Sequence, residues 1–170
     1  DLVLCLFPME PPIYARHGVN ARFVGHPLAD AFPTQPDART ARRALSLPQD
    51  VPILALLPGS RAGEINRLLS VFLDAARKIT VELPSLAIVI PAANAQCRTL
   101  IESGLSKSGI SNVALIDGQA HEAMIAADVV LLASGTAALE AMLAKRPMVV
   151  GYRISSLSYR IITGLGLMQV

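Results

Sequence analysis

Apolar residues fall along the chain in short runs that alternate with stretches where apolar positions recur every three or four residues. Leu2–Phe7 is the first run and stops at Pro8, Pro11–His17 has the length of one short helix closed by Gly18, and Ala21–Val24 is a brief strand. Gly25-His26-Pro27 then opens a passage with Pro33, Pro36 and Pro48, which predicts a linker holding one helix, Arg39–Leu45. After it the rhythm becomes regular. Ile53–Leu57 is a buried strand, and Gly63–Glu82 carries Ile65, Leu68, Leu69, Phe72, Ala75, Ala76 and Ile79 at helical spacing. Strands at Leu86–Ile90, Val113–Ile116, Val129–Leu132 and Met148–Gly151 alternate with helices at Ala95–Ser106, His121–Ala126, Thr136–Ala144 and Ser156–Thr163. Strands apolar on both faces and separated by helices predict an α/β fold: a Rossmann-like parallel sheet with helices on both faces. Ligands of such sheets bind beyond the carboxyl ends of the strands, so the residues after each strand are the ones to inspect.

The chain has 170 residues, of which 52% are hydrophobic and 16% charged, and that excludes disorder because burial can offset the ordering entropy. Fifteen Lys and Arg against thirteen Asp and Glu leave a net charge of +2, too small an excess to argue for nucleic acid. Cys5 and Cys97 stand in no CxxC spacing, so neither a disulfide scaffold nor a cysteine zinc site is supported and a reducing compartment is the easier reading. The longest stretch without a charge, Leu83–Cys97, is interrupted by Pro84, Pro91 and Asn94 and is shorter than the roughly 20 residues of a membrane-spanning helix. Asp1–Phe7 lacks an initiator Met and a basic start, and it reads as a strand entered halfway in a longer protein.

Two strand exits carry chemistry. The first is Leu57-Pro58-Gly59-Ser60-Arg61 with Glu64 on the helix that follows. Gly59 permits close approach of the backbone, the amides at a helix start favour an anion, Ser60 adds a hydroxyl, and Arg61 can fork two hydrogen bonds onto phosphate oxygens. A tight turn with Ser60 as helix cap and Arg61 in a surface pair explains the same residues. The second exit is Ser134-Gly135-Thr136, again small and polar before a helix, with Glu140 one turn further on the same helix face as Thr136. A carboxylate there suits vicinal hydroxyls such as those of a ribose, while simple capping is the plainer account. Neither GxGxxG nor GxxxxGK[ST] is present. His26 in the linker, Asp117-Gly118 after a strand, and His121 with Glu122 at a helix start are weaker signals, and three scattered histidines give no metal-ligand spacing. Tyr159, Ile161, Ile162, Leu165, Leu167 and Met168 with Arg153 and Arg160 fit either the packing of a terminal helix or a membrane-touching patch.

Phe7-Pro8-Met9-Glu10 with Tyr14, Val24-Gly25-His26-Pro27-Leu28-Ala29-Asp30, Leu56-Leu57-Pro58-Gly59-Ser60-Arg61 with Glu64, and Ala133–Glu140 followed by Pro147–Tyr152 resemble, in that order, the blocks of the lipid-A-disaccharide synthases. The resemblance implies one half of a two-domain GT-B glycosyltransferase. Residues 1–27 would be the end of the N-terminal acceptor domain with the junction, and residues 28–170 a UDP-sugar-binding domain. It implies inverting transfer of 2,3-diacylglucosamine from its UDP derivative to 2,3-diacylglucosamine 1-phosphate (lipid X), without metal or cofactor, at the cytoplasmic face of a Gram-negative inner membrane. Carried onto this sequence, Gly59, Ser60 and Arg61 would hold the diphosphate, with Arg61 stabilising the leaving UDP. Ser134, Gly135 and Thr136 would add contacts, Glu140 would take the ribose hydroxyls, and the Asp117-Gly118-Gln119 region would lie near the uracil. Glu64 and His26 count among the substrate-side residues, while the general base, an aspartate of the acceptor domain, would stand outside these residues, leaving this chain alone inactive. A UDP-N-acetylglucosamine 2-epimerase, another UDP-sugar enzyme or a non-catalytic nucleotide-binding module would share such a donor half.

Overall fold

The computed structural model of the chain describes residues 1–153. The helix expected at Ser156–Thr163, and most of the apolar and basic residues around it, lie outside them. The chain divides into two compact units, Asp1–Pro36 and Asp37 onward.

The first unit holds β1 (Val3–Cys5), α1 (Glu10–Ala15), β2 (Ala21–Phe23) and α2 (Leu28–Ala31). β1 and β2 pair in parallel, Val3 opposite Ala21 and Cys5 opposite Phe23, so this is a βαβ crossover in miniature. Pro11 and Pro12 stand in the first turn of α1, where a missing N–H costs nothing. α2 lies in the passage whose prolines predict a linker, and its turn is closed by Ala29 N bonding His26 O and Asp30 N bonding Pro27 O.

The second unit contains α3 (Ala38–Ala44), β3 (Ile53–Leu57), α4 (Ala62–Glu82), β4 (Ala87–Ala92), α5 (Ala95–Ser108), β5 (Val113–Asp117), α6 (Ala120–Ala126), β6 (Val129–Ala133), α7 (Thr136–Leu143) and β7 (Met148–Gly151). The five strands run in the order β5-β4-β3-β6-β7 and every pairing is parallel. Leu54, Leu56, Ile88 and Ile90 point to one face and are buried there by Ile65, Leu69, Phe72 and Leu73 of α4 and Ile101 of α5. Their sequence neighbours Ala55 and Val89 point the other way, as do Val130 and Leu132 in register beside β3, and all four are equally buried, on the side that α6 and α7 cover. α4 matches its apolar spacing, with Ile65, Leu68, Leu69, Phe72, Leu73 and Ala76 all buried.

β4 runs to Ala92, past the expected stop before Pro91. Its pairing with β3 has ended at Val89, and only the β5 ladder continues to Ala92, so the missing N–H of Pro91 falls where one neighbour remains. At the amino end of the sheet Arg42 of α3 is buried and bonds Ala126 O, Gln49 O, Val51 O and Asp128, while Asp128 also accepts from Ile53 N at 2.7 Å. This cluster ties α3, α6 and the starts of β3 and β6 together, which fixes where those central strands begin.

Candidate functional site

Chain order reverses between β3 and β6. From β3 the chain goes outward to β4 and β5, then returns across the sheet to β6 and continues to β7. The helix after β3 therefore leaves toward one face and the helix after β6 toward the other, and their starting loops part at the carboxyl edge. That switch point is where open parallel sheets bind ligands. Here it opens into a cleft of about 430 Å³ lined by Gly59, Ser60, Arg61 and Glu64 on one side and Ser134, Gly135, Thr136 and Glu140 on the other. The two loops singled out in the sequence thus share one hollow.

Each loop has a local reason for its shape. Gly59 has φ +130, and a Cβ there would stand 2.5 Å from Glu64 Cβ and 2.6 Å from its Oε2, so only glycine lets the turn close against α4. Glu64 folds back over the turn: its Oε2 accepts from Ser60 N at 3.0 Å and from Arg61 N at 3.4 Å. Its Oε1 lies 3.3 Å from Arg61 Nη1, and the Arg61 side chain is otherwise 84% exposed, free to swing toward a ligand. Buried Cys97 donates its thiol to Ser60 O at 3.4 Å, tying the turn down to α5. On the other side Gly135, at φ +150, caps α7, and Ser134 N bonds Gly151 O at 2.9 Å, fastening this loop to β7. Helix geometry leaves the first-turn amides of α4 and α7 directed out of the sheet edge, with a partial positive charge at each end.

The cleft floor adds Leu57, Pro91, Ala93, Ala133 and Ala137, and Gly118 and Ala120 close it at the β5 end. Gln119, between those two, is not part of the lining; its φ of 52 places it in the left-handed region as the start of α6. Gly118 N bonds Ala92 O, and Arg98 holds Asp117 at 2.8 Å and Glu102 at 3.0 Å, so the turn after β5 is anchored from α5. The Asp117 hydrogen bond is the main cause of the raised pKa of Arg98. Glu140 lies 3.7 Å from His121 Nε2, a neighbour the sequence did not connect to it. His26 belongs to the first unit, where its Nδ1 accepts from Leu28 N at 3.1 Å and its ring lies 5.5 Å from that of Phe7. Pro91 and Ala93 were missed, although inspecting the exit of β4 as closely as those of β3 and β6 would have shown the same run of small residues. Among the described residues no group of three His, Cys, Asp or Glu could hold a metal ion, and no helix is long and apolar enough to cross a membrane.

Set against known proteins, residues 1–166 match the family model described as Lipid-A-disaccharide synthetase. The chain is 59% identical over 172 positions to the lipid-A-disaccharide synthase of Xanthomonas campestris pv. campestris, covering all of this chain and 39% of that protein. It is 58% identical over the same length to the enzyme of that name from Xylella fastidiosa, covering all of this chain and 45% of that protein. The chain thus spans less than half the length of the curated relatives it matches. Among solved structures, the C-terminal domain of a group 1 glycosyl transferase family protein from Francisella tularensis superposes with a TM-score of 0.51 at 16% identity, over 82% of this chain and 85% of that one. That likeness bears on the fold, which is the Rossmann-like arrangement of the GT-B glycosyltransferases.

Proposed function

The chain belongs to the lipid-A-disaccharide synthetase family, and from that premise we propose that its cleft holds the UDP part of a UDP-sugar donor. The observation that carries the reading is the convergence of Gly59, Ser60 and Arg61 with Ser134, Gly135 and Thr136 on one hollow at the β3/β6 switch point. Two helix starts and one exposed guanidinium suit a diphosphate, whose charge each of them favours. Glu140, buried deeper than Arg61, would accept from the ribose hydroxyls, and the turn after β5, with Gly118 at the cleft edge, would lie toward the uracil.

In the full-length protein the proposed reaction is transfer of 2,3-diacylglucosamine from its UDP derivative to 2,3-diacylglucosamine 1-phosphate. The acceptor hydroxyl attacks the anomeric carbon, the bond from that carbon to the diphosphate oxygen breaks, and UDP departs with the electron pair. Arg61 then acts where charge grows, because its pairing with the leaving diphosphate strengthens as the bond breaks. The proton of the acceptor hydroxyl passes to a base on the acceptor side, to which residues 1–27 would belong, and contact with the cytoplasmic face of the inner membrane would deliver the acylated substrates. Calorimetric titration of the full-length protein with UDP tests the reading. Binding that weakens about ten- to a hundredfold in Arg61→Ala, as expected for loss of a charge-assisted pair, supports it; equal binding by wild type and variant refutes it.

A further inference from the structure

The turn between β3 and α4 already grips an anion, and that anion is part of the protein. Glu64 Oε2 accepts from the amides of Ser60 and Arg61, and Oε1 stands 3.3 Å from the Arg61 guanidinium. Two consecutive amides with a guanidinium beside them form the donor set expected to bind a phosphate oxygen. The carboxylate comes this close because Gly59 has no side chain: a Cβ there would overlap both Glu64 Cβ and Oε2.

We propose that Glu64 competes with the diphosphate of the donor for these donors, and so sets which ligands the cleft accepts. The inference rests on the reading of the cleft as a UDP site. A phosphate oxygen and the Glu64 carboxylate cannot take the same amides at once, so binding requires the side chain to swing off the turn. The internal contacts are easy to give up. At 3.0, 3.4 and 3.3 Å they range from ordinary to long, and the Glu64 side chain is 30% exposed, so water meets it on release. A dianionic diphosphate able to engage both cleft walls displaces it, whereas a ligand with less charge does so poorly. Glu64 is in these terms a specificity-determining residue that raises the threshold for entry, and it also holds the turn in shape until the ligand arrives.

The test is titration of the full-length wild-type protein, Glu64→Gln and Glu64→Ala with UDP, inorganic pyrophosphate and uridine, with thermal unfolding to verify that each variant is folded. Glu64→Gln keeps an acceptor for the Ser60 amide but removes the charge, so the helix start is retained. The expected result is tighter binding of UDP and pyrophosphate by about three- to tenfold, the scale of a partly exposed charged contact, with uridine unchanged. Weaker or unchanged UDP binding in a folded Glu64→Gln protein overturns the inference and makes Glu64 a scaffold for the turn. Tightening of uridine to the same degree overturns it too, because the effect would then not act through phosphate. Absence of UDP binding to wild type and variants alike refutes the underlying reading of the cleft instead.

Discussion

Replacing Arg42 by Ala separates what holds the sheet together from what binds the ligand. The guanidinium donates from Nε to Ala126 O at 2.9 Å, from Nη1 to Gln49 O at 2.8 Å and Val51 O at 3.2 Å, and from Nη2 to Asp128 at 2.9 Å. Each hydrogen bond from a charged donor contributes about 1.5–3 kcal/mol, but such values do not add within one network. The Arg42 side chain is 9% exposed and that of Asp128 is 52% exposed. Water therefore takes over at the carboxylate, and the loss concentrates on the carbonyls and on the space left by the side chain. A destabilisation of about 3 kcal/mol follows, at the lower end of what breaking a buried pair costs. With a urea dependence of about 2 kcal/mol per molar, the unfolding midpoint followed by circular dichroism falls by about 1.5 M with its slope unchanged. The network lies at the starts of β3 and β6, about 13 Å of strand rise from the cleft, so UDP affinity of the folded variant stays within twofold. A midpoint shift below about 0.5 M, under ~1 kcal/mol on that slope, would show that water replaces the network and that the sheet does not depend on it.

Gly59→Ala places a Cβ 2.5 Å from Glu64 Cβ at a φ of +130, so the turn must move; stability drops by about 1–3 kcal/mol and UDP affinity drops with it, and an unchanged melting temperature and affinity would contradict the geometry. Glu140→Gln should weaken UDP several-fold but leave 2′-deoxy-UDP nearly unaffected in parallel titrations, since only the former offers the full pair of ribose hydroxyls; equal losses for both refute the ribose assignment. Asp37 caps α3, and the Thr40 hydroxyl first, then the backbone amides of Thr40 and Arg39, hold its carboxyl below the usual range. A depressed folded pKa gives stability that is present above the unfolded carboxylate value and lost as pH falls through the folded one. Asp37→Asn should therefore flatten the acid limb of a urea-midpoint profile, and an identical limb would show that the cap carries no linkage.

The central strands and α4 of the second unit were legible because the apolar residues that mark them are the ones the fold buries. Ile53–Leu57 is buried almost throughout, and α4 shows its apolar stripe without ambiguity. α2 escaped because a four-residue helix is too short to show a period, and proline before it reads as linker. Pro91 hid the end of β4 because local chemistry says stop, while only the ladder shows that one neighbour has already dropped away. The two anion-friendly loops could be read from Gly59, Ser60, Arg61, Ser134, Gly135 and Thr136, but their meeting depends on strand order, which no single segment encodes. The inward turn of Glu64 and the approach of His121 to Glu140 are tertiary facts of the same kind.

A crystal structure of the full-length protein with UDP bound tests the convergence of the two loops most directly. The account predicts diphosphate oxygens within hydrogen-bond distance of both the Ser60–Arg61 turn and the Ser134–Thr136 loop, with Glu64 turned off the Ser60 and Arg61 amides. A nucleotide held elsewhere, or by only one of the two loops, would contradict it.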